Sequence, residues 1–156
     1  MNIVLFFPNK IKPNEMVSAE NLYLKRLKKY KVKMDEYRCI NRSESTTNKR
    51  ENDKHILKKI KDDDMLIVFD ERGKIIKTMD LVNLIDDFKN KNNVRKKRLI
   101  FLIGGPFGFS DIIRNRADMI YSLSGLVLAG SIARLVLLEN LYRSFMIIDN
   151  HPYHNN

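Results

Sequence analysis

The residues best suited to chemistry lie in the last third of the sequence, where a glycine-rich turn comes first. Gly104, Gly105 and Gly108 surround Pro106 and directly follow the apolar run LIFLI at 99–103. Glycines at the carboxyl end of a parallel strand let a ligand approach the backbone closely. The turn lacks both the Gly-Lys-Ser/Thr of a phosphate loop and the glycine spacing of a dinucleotide fingerprint. A plain strand-to-helix turn and a cofactor site therefore remain equally good interpretations.

The second candidate is the stretch SLSGLVLA at 122–129, which combines apolar and small residues. Such a stretch can form a backbone wall against a flat ring such as adenine, with peptide amides on the purine edge. A buried strand that ends in a turn has the same composition. On these residues alone, the strand and turn are the favoured interpretation.

One arginine falls on the apolar face of the last predicted helix. At 100° per residue, Arg134 projects between Leu141 and Phe145. A guanidinium on such a face needs a partner, because burial of an unpaired charge is costly. The partner is either a carboxylate of this chain or a second subunit, or a phosphate or base of a substrate. Glu139 and Arg143, four residues apart, face outward as an ordinary helix pair.

The end of the chain, NHPYH at 150–154, offers two imidazoles and a phenol ring beside a stiffening proline. Tyr153 is suited to stacking on a base, and His151 or His154 to donating to a phosphate or moving a proton. Chain termini are usually loose, so a frayed end with chance histidines is the alternative interpretation.

Composition limits the classes of partner. The 156 residues include 29 Lys and Arg against 19 Asp and Glu, for a net charge of +10. This excess favours a polyanion, with RNA or DNA first, although a lysine-rich proteome would give the same bias. Cys39 is the only cysteine, so an intrachain disulfide is excluded and a structural zinc site is not expected. No apolar run approaches the ~20 residues of a membrane span.

Alternating strands and helices must position these residues. Apolar runs predict strands at 3–7, 32–40, 65–69 and 99–103, with a further apolar segment at 121–128. Helical patterns occupy 15–30, 55–61, 78–92, a segment from Ser110 and 131–146. The polar segment 41–53 has no periodicity and is predicted to be a loop. The alternation predicts one α/β domain over 1–156, with a largely parallel sheet flanked by helices.

These segments, in this order, resemble the rRNA large subunit methyltransferase H family, a group of small SPOUT-class enzymes. The matching text is FLIGGPFGFSD at 101–111, RAD at 116–118, YSLSGLVL at 121–128, RLVLLENLYRSF at 134–145 and NHPYH at 150–154. The N-terminal half matches more loosely, through MNIVLF, YLKRLKKY and ILKKIKDDD. The resemblance therefore spans nearly the whole chain and is strongest from Leu99 onward.

The resemblance implies a C-terminal trefoil knot, with the knot and cofactor region at about 99–156. It also implies a homodimer whose active site lies at the subunit interface. The implied reaction moves a methyl group from S-adenosylmethionine to N3 of a pseudouridine in large-subunit, 23S-type rRNA on the assembled ribosome, leaving S-adenosylhomocysteine. The implied location is the cytoplasm, or an organelle with bacterial-type ribosomes.

Carried over by position, the resemblance assigns roles to individual residues. The implied cofactor-binding residues are Phe69, Gly104, Gly105, Gly108, Ser124, Gly125, Leu126, Val127, Leu128 and Ala129. The implied catalytic residues are Arg134, Tyr142 and His154, and the implied RNA contacts are His151, Tyr153 and Arg143. Methylation of an imide nitrogen requires loss of a proton. We predict that Arg134 supports the negative base and that His154 or a water accepts the proton.

One departure from the family keeps two alternatives open. The family usually has a Pro-His pair before the final helix, where this chain has Ala129, Gly130 and Ser131. The missing imidazole at Gly130 favours a protein that has lost catalysis and only docks on the ribosome. Another SPOUT enzyme, acting on tRNA or a different rRNA site, is the second alternative, although the terminal PYH argues against it.

Overall fold

A five-stranded parallel sheet forms the centre of the molecule. The computed structural model of the chain describes residues 2–8, 13–38, 46–90 and 96–152. The strands are β1 Ile3–Pro8, β2 Val32–Tyr37, β3 Asp64–Ile75, β4 Arg98–Ile103 and β5 Met119–Ser122. They lie in the order β2-β1-β4-β3-β5, and every neighbouring pair is parallel. The predicted α/β class with a largely parallel sheet is therefore confirmed.

Helices cover both faces of this sheet. They are α1 Asn14–Leu27, α2 Thr46–Leu57, α3 Thr78–Lys89, α4 Asp111–Arg116 and α5 Gly130–Ile148, with a short 3-10 turn at Lys28–Tyr30. One face packs against α1, α3 and α5, and the other against α2 and α4. Successive strand residues point to opposite faces, so both sets of side chains must be apolar. This explains the unbroken apolar runs IVLFF at 3–7 and LIFLI at 99–103, in which Phe101 and Leu102 are both fully buried.

The prediction of a loop at 41–53 is wrong from Thr46 onward, because that part begins α2. The helix also contains the start of the short helix predicted at 55–61, and it ends at Leu57. Its sequence gave no periodic signal because only Asp53 and Ile56 are buried. A helix with so narrow a buried stripe is held by specific tertiary contacts more than by an apolar face.

Strand β3 continues beyond the predicted run at 65–69 and ends only at Ile75. Its pairing with β5 is irregular between Phe69 and Lys74, so the strand bends there and resumes against Tyr121. Strand β5 itself ends at Ser122, and the rest of the apolar segment 121–128 is a loop. The sheet thus ends, at its carboxyl edge, in several irregular segments that lie side by side.

Candidate active site

A cleft of about 680 Å³ lies along the carboxyl ends of β1, β4 and β5 and beside the bend in β3. Pro8 of β1, Phe69 of β3, Ile103 of β4 and Ser122 of β5 all line it. In open parallel sheets, ligands bind outside the carboxyl ends of the strands, where the loops that leave them converge. The volume falls within the range of roughly 300–1,000 Å³ that is typical of small-molecule sites.

One side of the cleft is the segment 104–110, which we call the turn wall. The amide of Gly108 donates to the carbonyl of Gly105 at 3.0 Å and closes a tight turn around Pro106. Gly108 has a φ of +66°, which side-chain-bearing residues rarely adopt. At Gly104, a Cβ atom would lie 2.9 Å from the ring of Phe109, which is itself buried. The glycines therefore let the backbone of the turn pack closely against the ring of Phe109.

The turn wall ends at Ser110, which is fixed from a distant helix. The Ser110 amide and hydroxyl donate to Oδ2 of Asp53 at 2.7 and 2.5 Å, and the same hydroxyl accepts from the Ile112 amide at 3.4 Å as the N-cap of α4. Asp53 is 2% exposed. Burial raises the pKa of the Asp53 carboxyl, and the hydrogen bonds from Ser110 act in the opposite direction. This contact was not foreseen from the sequence.

The opposite side of the cleft is the segment 122–129, which we call the loop wall. The hydroxyl of Ser122 donates to the Ser124 carbonyl at 2.8 Å, and the Leu126 amide donates to the Ser124 hydroxyl at 2.9 Å. These bonds fold the loop locally, as in other serine turns. Leu126 and Val127 nevertheless remain 78% and 89% exposed. The described residues of the chain thus leave two large apolar side chains at the cleft mostly exposed to solvent.

Arg134 lines the cleft near the start of α5 and is 2% exposed. Its guanidinium donates to Oε1 of Glu20, to Oε1 of Glu36 at 2.9 Å and to the Pro8 carbonyl at 3.4 Å, and it lies 4.9 Å from the centroid of the Phe7 ring. The sequence left open whether Arg134 pairs with a carboxylate of this chain, a second subunit or a substrate. The structure contains the first kind of partner, two carboxylates of the same chain. Burial raises the pKa of Glu20, against the effect of the nearby guanidinium.

A second ion pair at the cleft was also missed by the sequence analysis. Arg114 of α4 donates to Oδ2 of Asp70 through Nε at 3.1 Å and through a terminal nitrogen at 2.8 Å, and both residues line the cleft. Asp70 directly follows the buried part of β3, where the predicted strand ended, so its position was a usable signal. Arg114 had none, since it lies 44 residues away. Lys49, on the helix mistaken for a loop, and Arg72 add positive charge to the lining.

Most residues predicted to bind the cofactor come together in the cleft. Those that line it are Phe69, Gly104, Gly105, Gly108, Ser124, Leu126, Val127 and Leu128. Gly125 and Ala129 belong to the same loop wall without lining the cleft. The two sequence motifs singled out at the start, the glycine turn and the small-residue stretch, thus form facing walls of one site.

The residues predicted to act on the substrate are placed less uniformly. Tyr142 lies eight residues beyond Arg134 on α5, or about 12 Å along the axis at 1.5 Å per residue. Its ring centroid is 6.2 Å from that of Tyr23, and the Arg26 guanidinium lies 5.2 Å from it. Arg143 donates to Oε1 of Glu139 at 2.6 Å, as the spacing predicted. Neither Tyr142 nor Arg143 lines the cleft of the single chain.

The predicted residues of the tail extend past α5. His151 is exposed, and its amide caps the helix by donating to the Met146 carbonyl at 2.8 Å. The capping turn uses Asn150 at a positive φ of 53°. Tyr153 and His154 lie outside the described residues, so their predicted roles stay predictions.

Within residues 2–8, 13–38, 46–90 and 96–152, no group of three or more His, Cys, Asp or Glu side chains is placed to hold a metal ion. Over those same ranges, no helix has the length and apolar character needed to cross a membrane.

Comparison with known proteins finds relatives along the whole chain. A family profile described as "Predicted SPOUT methyltransferase" matches residues 1–154. The chain is 35% identical over 160 residues to the ribosomal RNA large subunit methyltransferase H of Flavobacterium psychrophilum, and 36% identical over 160 residues to that of Flavobacterium johnsoniae. Each alignment covers 99% of both chains.

Two further similarities are shorter or more distant. The protein of the same name from Syntrophotalea carbinolica is 40% identical over 107 residues, covering 69% of this chain and 67% of the relative. Among solved structures, a probable methylase family protein from Haemophilus influenzae Rd KW20 is similar with a TM-score of 0.53 at 12% identity. That alignment covers 99% of this chain and 70% of the other, and at this identity it shows the fold alone.

Proposed function

The chain belongs to the SPOUT methyltransferase family, and from that premise we propose that it transfers a methyl group from S-adenosylmethionine to large-subunit ribosomal RNA. The C-terminal trefoil knot that characterises the class comes with this membership. The single observation that carries the proposal is the cleft in which the glycine turn and the small-residue loop face each other at the carboxyl edge of the sheet. We further propose one SPOUT domain over 1–156, with the knot and cofactor region at about 99–156.

The lining of the cleft fits S-adenosylmethionine. A Cβ atom at Gly108 would meet nothing within 4 Å, so the backbone of the turn wall is open to a ligand there. Phe69 offers an apolar surface for adenine, and the peptide groups of 104–108 and 124–129 offer donors and acceptors to its polar edges. Lys49 and Arg72 supply positive charge for the carboxylate. When bound, this cofactor supplies an electrophilic methyl group, and S-adenosylhomocysteine is the product.

The proposed substrate atom is N3 of a pseudouridine in 23S-type rRNA, within the assembled ribosome. Three observations support an RNA of the large subunit: the net charge of +10, the names of the full-length relatives and the terminal PYH. His151, Tyr153 and Arg143 are the proposed RNA contacts. A ribosomal substrate also sets the proposed location, which is the cytoplasm, or an organelle with bacterial-type ribosomes.

Arg134 is the proposed support for the negative charge that develops on the base when the imide proton leaves. Its guanidinium is already held by two carboxylates, so the substrate base would have to compete with them for its N–H groups. The side chain of Glu36 is 21% exposed and that of Glu20 is 5% exposed, which makes Glu36 the easier contact to displace. His154 or a water is the proposed proton acceptor, and Tyr142 the third proposed catalytic residue.

A homodimer is the proposed functional form, with the loop wall at the subunit interface. Leu126, Val127, Ile75 and Ile132 are 78%, 89%, 54% and 41% exposed in the single chain. Exposed large apolar side chains concentrated around a site mark a protein–protein contact more often than free surface. A second copy would cover them and would bring its own Tyr142 and tail toward the cleft. This accounts for predicted catalytic residues that do not line the cleft of one chain.

The proposal is tested by methyl transfer from labelled S-adenosylmethionine to intact bacterial-type ribosomes, with free rRNA and tRNA assayed in parallel. We expect label only in the large-subunit rRNA of intact ribosomes, and nuclease mapping then identifies the base. Label in tRNA or at another rRNA site would overturn the substrate assignment in favour of a different SPOUT activity.

The second candidate function is ribosome docking without catalysis, and it rests on the sequence Ala129-Gly130-Ser131 where the family has Pro-His. A Cβ atom at Gly130 would meet nothing within 4 Å, so the missing side chain leaves open space at the cleft. Calorimetry with S-adenosylmethionine separates the two functions. A folded dimer that binds no cofactor and labels no RNA would establish the docking protein.

A further inference from the structure

We propose that Asp53 is a positioning residue for the turn wall, which it fixes through Ser110 in the shape that receives S-adenosylmethionine. The inference rests on the proposed function, because it assigns Asp53 a task in holding the backbone that contacts the cofactor. Asp53 does not line the cleft and does not touch the reacting atoms. It acts on the cofactor only through the turn wall.

The first argument is the geometry of the contact. One oxygen of Asp53, Oδ2, accepts hydrogen bonds from both the amide and the hydroxyl of Ser110, across 57 residues of sequence. The same hydroxyl caps α4 through the Ile112 amide. Asp53 thereby sets the place at which the chain leaves the turn wall and enters a helix.

The second argument is that the turn wall is held chiefly at its two ends. At its start, the Tyr37 hydroxyl donates to the Ile103 carbonyl at 2.8 Å in a buried hydrogen bond. At its end stand buried Phe109 and the Asp53–Ser110 pair. Between these anchors, the Gly108 amide bonds the Gly105 carbonyl within the turn itself. A shift of either end would therefore move the whole segment.

The third argument is the burial of an acid on an otherwise polar helix. Asp53 and Ile56 are the buried residues of α2 within its described span, and a buried carboxylate is tolerated only when it is hydrogen-bonded. A helix cap needs only Ser110, whose hydroxyl already reaches the Ile112 amide. The acid thus adds a contact that the cap does not require, at a point where the position of the turn wall is set.

The same helix offers a matched control. Arg50 of α2 donates to Oδ2 of Asp111 at 3.0 Å, one residue beyond Ser110, but the two side chains are 50% and 59% exposed. Exposed ion pairs contribute little to stability. Arg50→Gln therefore removes a link between the same two helices without disturbing the buried anchor.

The test compares Asp53→Ala, Asp53→Asn and Arg50→Gln in the full-length protein. Calorimetry measures the affinity for S-adenosylmethionine, and thermal unfolding confirms that each variant is folded. We expect Asp53→Ala to weaken binding about tenfold or more, as for the loss of a buried hydrogen-bonded group. Asp53→Asn should retain part of the affinity, because its amide oxygen still accepts from the Ser110 backbone. Arg50→Gln should match the wild type.

A folded Asp53→Ala protein with wild-type affinity would overturn the inference, even if its melting temperature fell, because the role would then be only structural. If Asp53→Ala does not fold, Asp53→Asn carries the comparison, and an affinity equal to that of the wild type overturns the inference.

Hydrogen exchange separates this inference from the proposed function. Without any ligand, the backbone amides of 104–110 should exchange faster in Asp53→Asn than in the wild type or Arg50→Gln. Unchanged exchange overturns the inference. Faster exchange in a protein whose wild type binds no S-adenosylmethionine would uphold the anchor and overturn the cofactor assignment.

Discussion

The two walls of the cleft are built in opposite ways. The turn wall is closed from within the chain, because Phe109 and Ser110 are buried and Asp53 reaches across from α2 to hold it. The loop wall holds its own shape through two serine hydrogen bonds, yet it presents Leu126 and Val127 to solvent. Both walls line the same cleft. They differ in whether contacts within the chain cover their side chains.

This contrast indicates that the two walls have different roles in the site. A wall that is fixed by buried contacts in one chain can be pre-organised for a small ligand before any partner arrives. A wall with exposed apolar side chains is completed only when another surface covers it. We therefore expect cofactor affinity to depend on contacts within the chain, and methyl transfer to depend also on the second subunit.

The largest loss of methyl transfer is expected from Val127→Asp on the loop wall. A carboxylate at this 89% exposed position would be buried without a partner in a dimer, so the dimer should dissociate while the monomer stays folded. Sedimentation should show the monomer, and transfer should fall by about 100-fold or more because the site is left incomplete.

The control for that variant is Met119→Asp, which changes an exposed apolar residue of β5 away from the cleft. It should remain dimeric and active. A Val127→Asp protein that sedimented as a dimer would remove the contrast between the walls, since the loop wall would then be simple surface.

The next largest effect is expected from Arg134→Ala, where the loop wall leads into α5. Loss of the guanidinium leaves Glu20 and Glu36 without their cation, at a cost of about 3–5 kcal/mol in the free energy of unfolding. Arg143→Ala on the same helix, which breaks an ordinary surface pair with Glu139, should cost about 0.3–0.5 kcal/mol. Urea unfolding of both variants measures the difference, and equal losses would contradict the role of the buried pair.

The Arg134→Ala variant should also recover stability in mild acid. Burial raises the pKa of Glu20 above 4.5 even beside Arg134, and without the cation that pKa rises further. An acid with a raised pKa in the folded state stabilises the fold at low pH and loses that contribution as the pH rises. The difference in the free energy of unfolding between the variant and the wild type should therefore shrink as the pH falls from 7 to 5. A difference that stays constant over this range would contradict the role assigned to Glu20.

A smaller effect is expected when one glycine of each wall is changed. In Gly104→Ala, the new Cβ would lie 2.9 Å from the Phe109 ring, so overpacking should cost about 1–3 kcal/mol and weaken cofactor binding. In Gly125→Ala, the Cβ would lie 3.6 Å from Cδ1 of Ile75, an ordinary contact, and the change should stay within about 0.5 kcal/mol. Equal losses of stability in the two variants would show that the turn wall is not more tightly packed than the loop wall.

The smallest effect on the cleft is expected from Asp64→Asn at the amino edge of the sheet. Arg98 donates to both oxygens of the fully buried Asp64 side chain, at 2.7 and 2.5 Å. Burial alone would raise the pKa of Asp64, but the Arg98 and Lys61 hydrogen bonds outweigh it and hold the pKa below 3.8. The wild type should therefore keep this stability above about pH 4 and lose it as the pH falls further.

The Asn variant should lack that acid sensitivity and unfold more easily at pH 7, by about 1–3 kcal/mol. Its affinity for S-adenosylmethionine should equal that of the wild type, since Asp64 does not line the cleft. A weakened affinity would mean that the amino edge of the sheet also shapes the site, and the two walls would no longer be its main determinants.

The sequence predicted the parts of the fold that burial makes periodic or continuous. The runs at 3–7, 65–69 and 99–103 were recognisable as strands because helices cover both faces of the sheet. Helix α2 was missed because Asp53 and Ile56 are its buried residues and the rest of its described length is polar. Local patterning carries no signal for a helix that a tertiary contact holds in place.

The site was predictable to a similar degree. The glycine turn and the loop at 122–129 were identified from their residue types, and Arg134 from its place on an apolar helix face. Its partners Glu20 and Glu36 lie 114 and 98 residues away, and nothing in their own surroundings marked them. Single-sequence reasoning found groups that need a partner, but it could not say which distant group satisfies them.

The parallel sheet has a consequence for how the chain reaches its structure. Strands β1 and β4 pair Ile3 with Leu99, so the centre of the sheet joins two segments that lie far apart in the sequence. Every described strand pair is parallel, so none is a hairpin and each needs a crossover connection between its strands. Closing that connection costs chain entropy before the hydrogen bonds between the strands can form. We therefore expect slow refolding, and the threading that a knot demands lengthens it further. A nascent chain would have to wait for β4 before β1 gains its central neighbour.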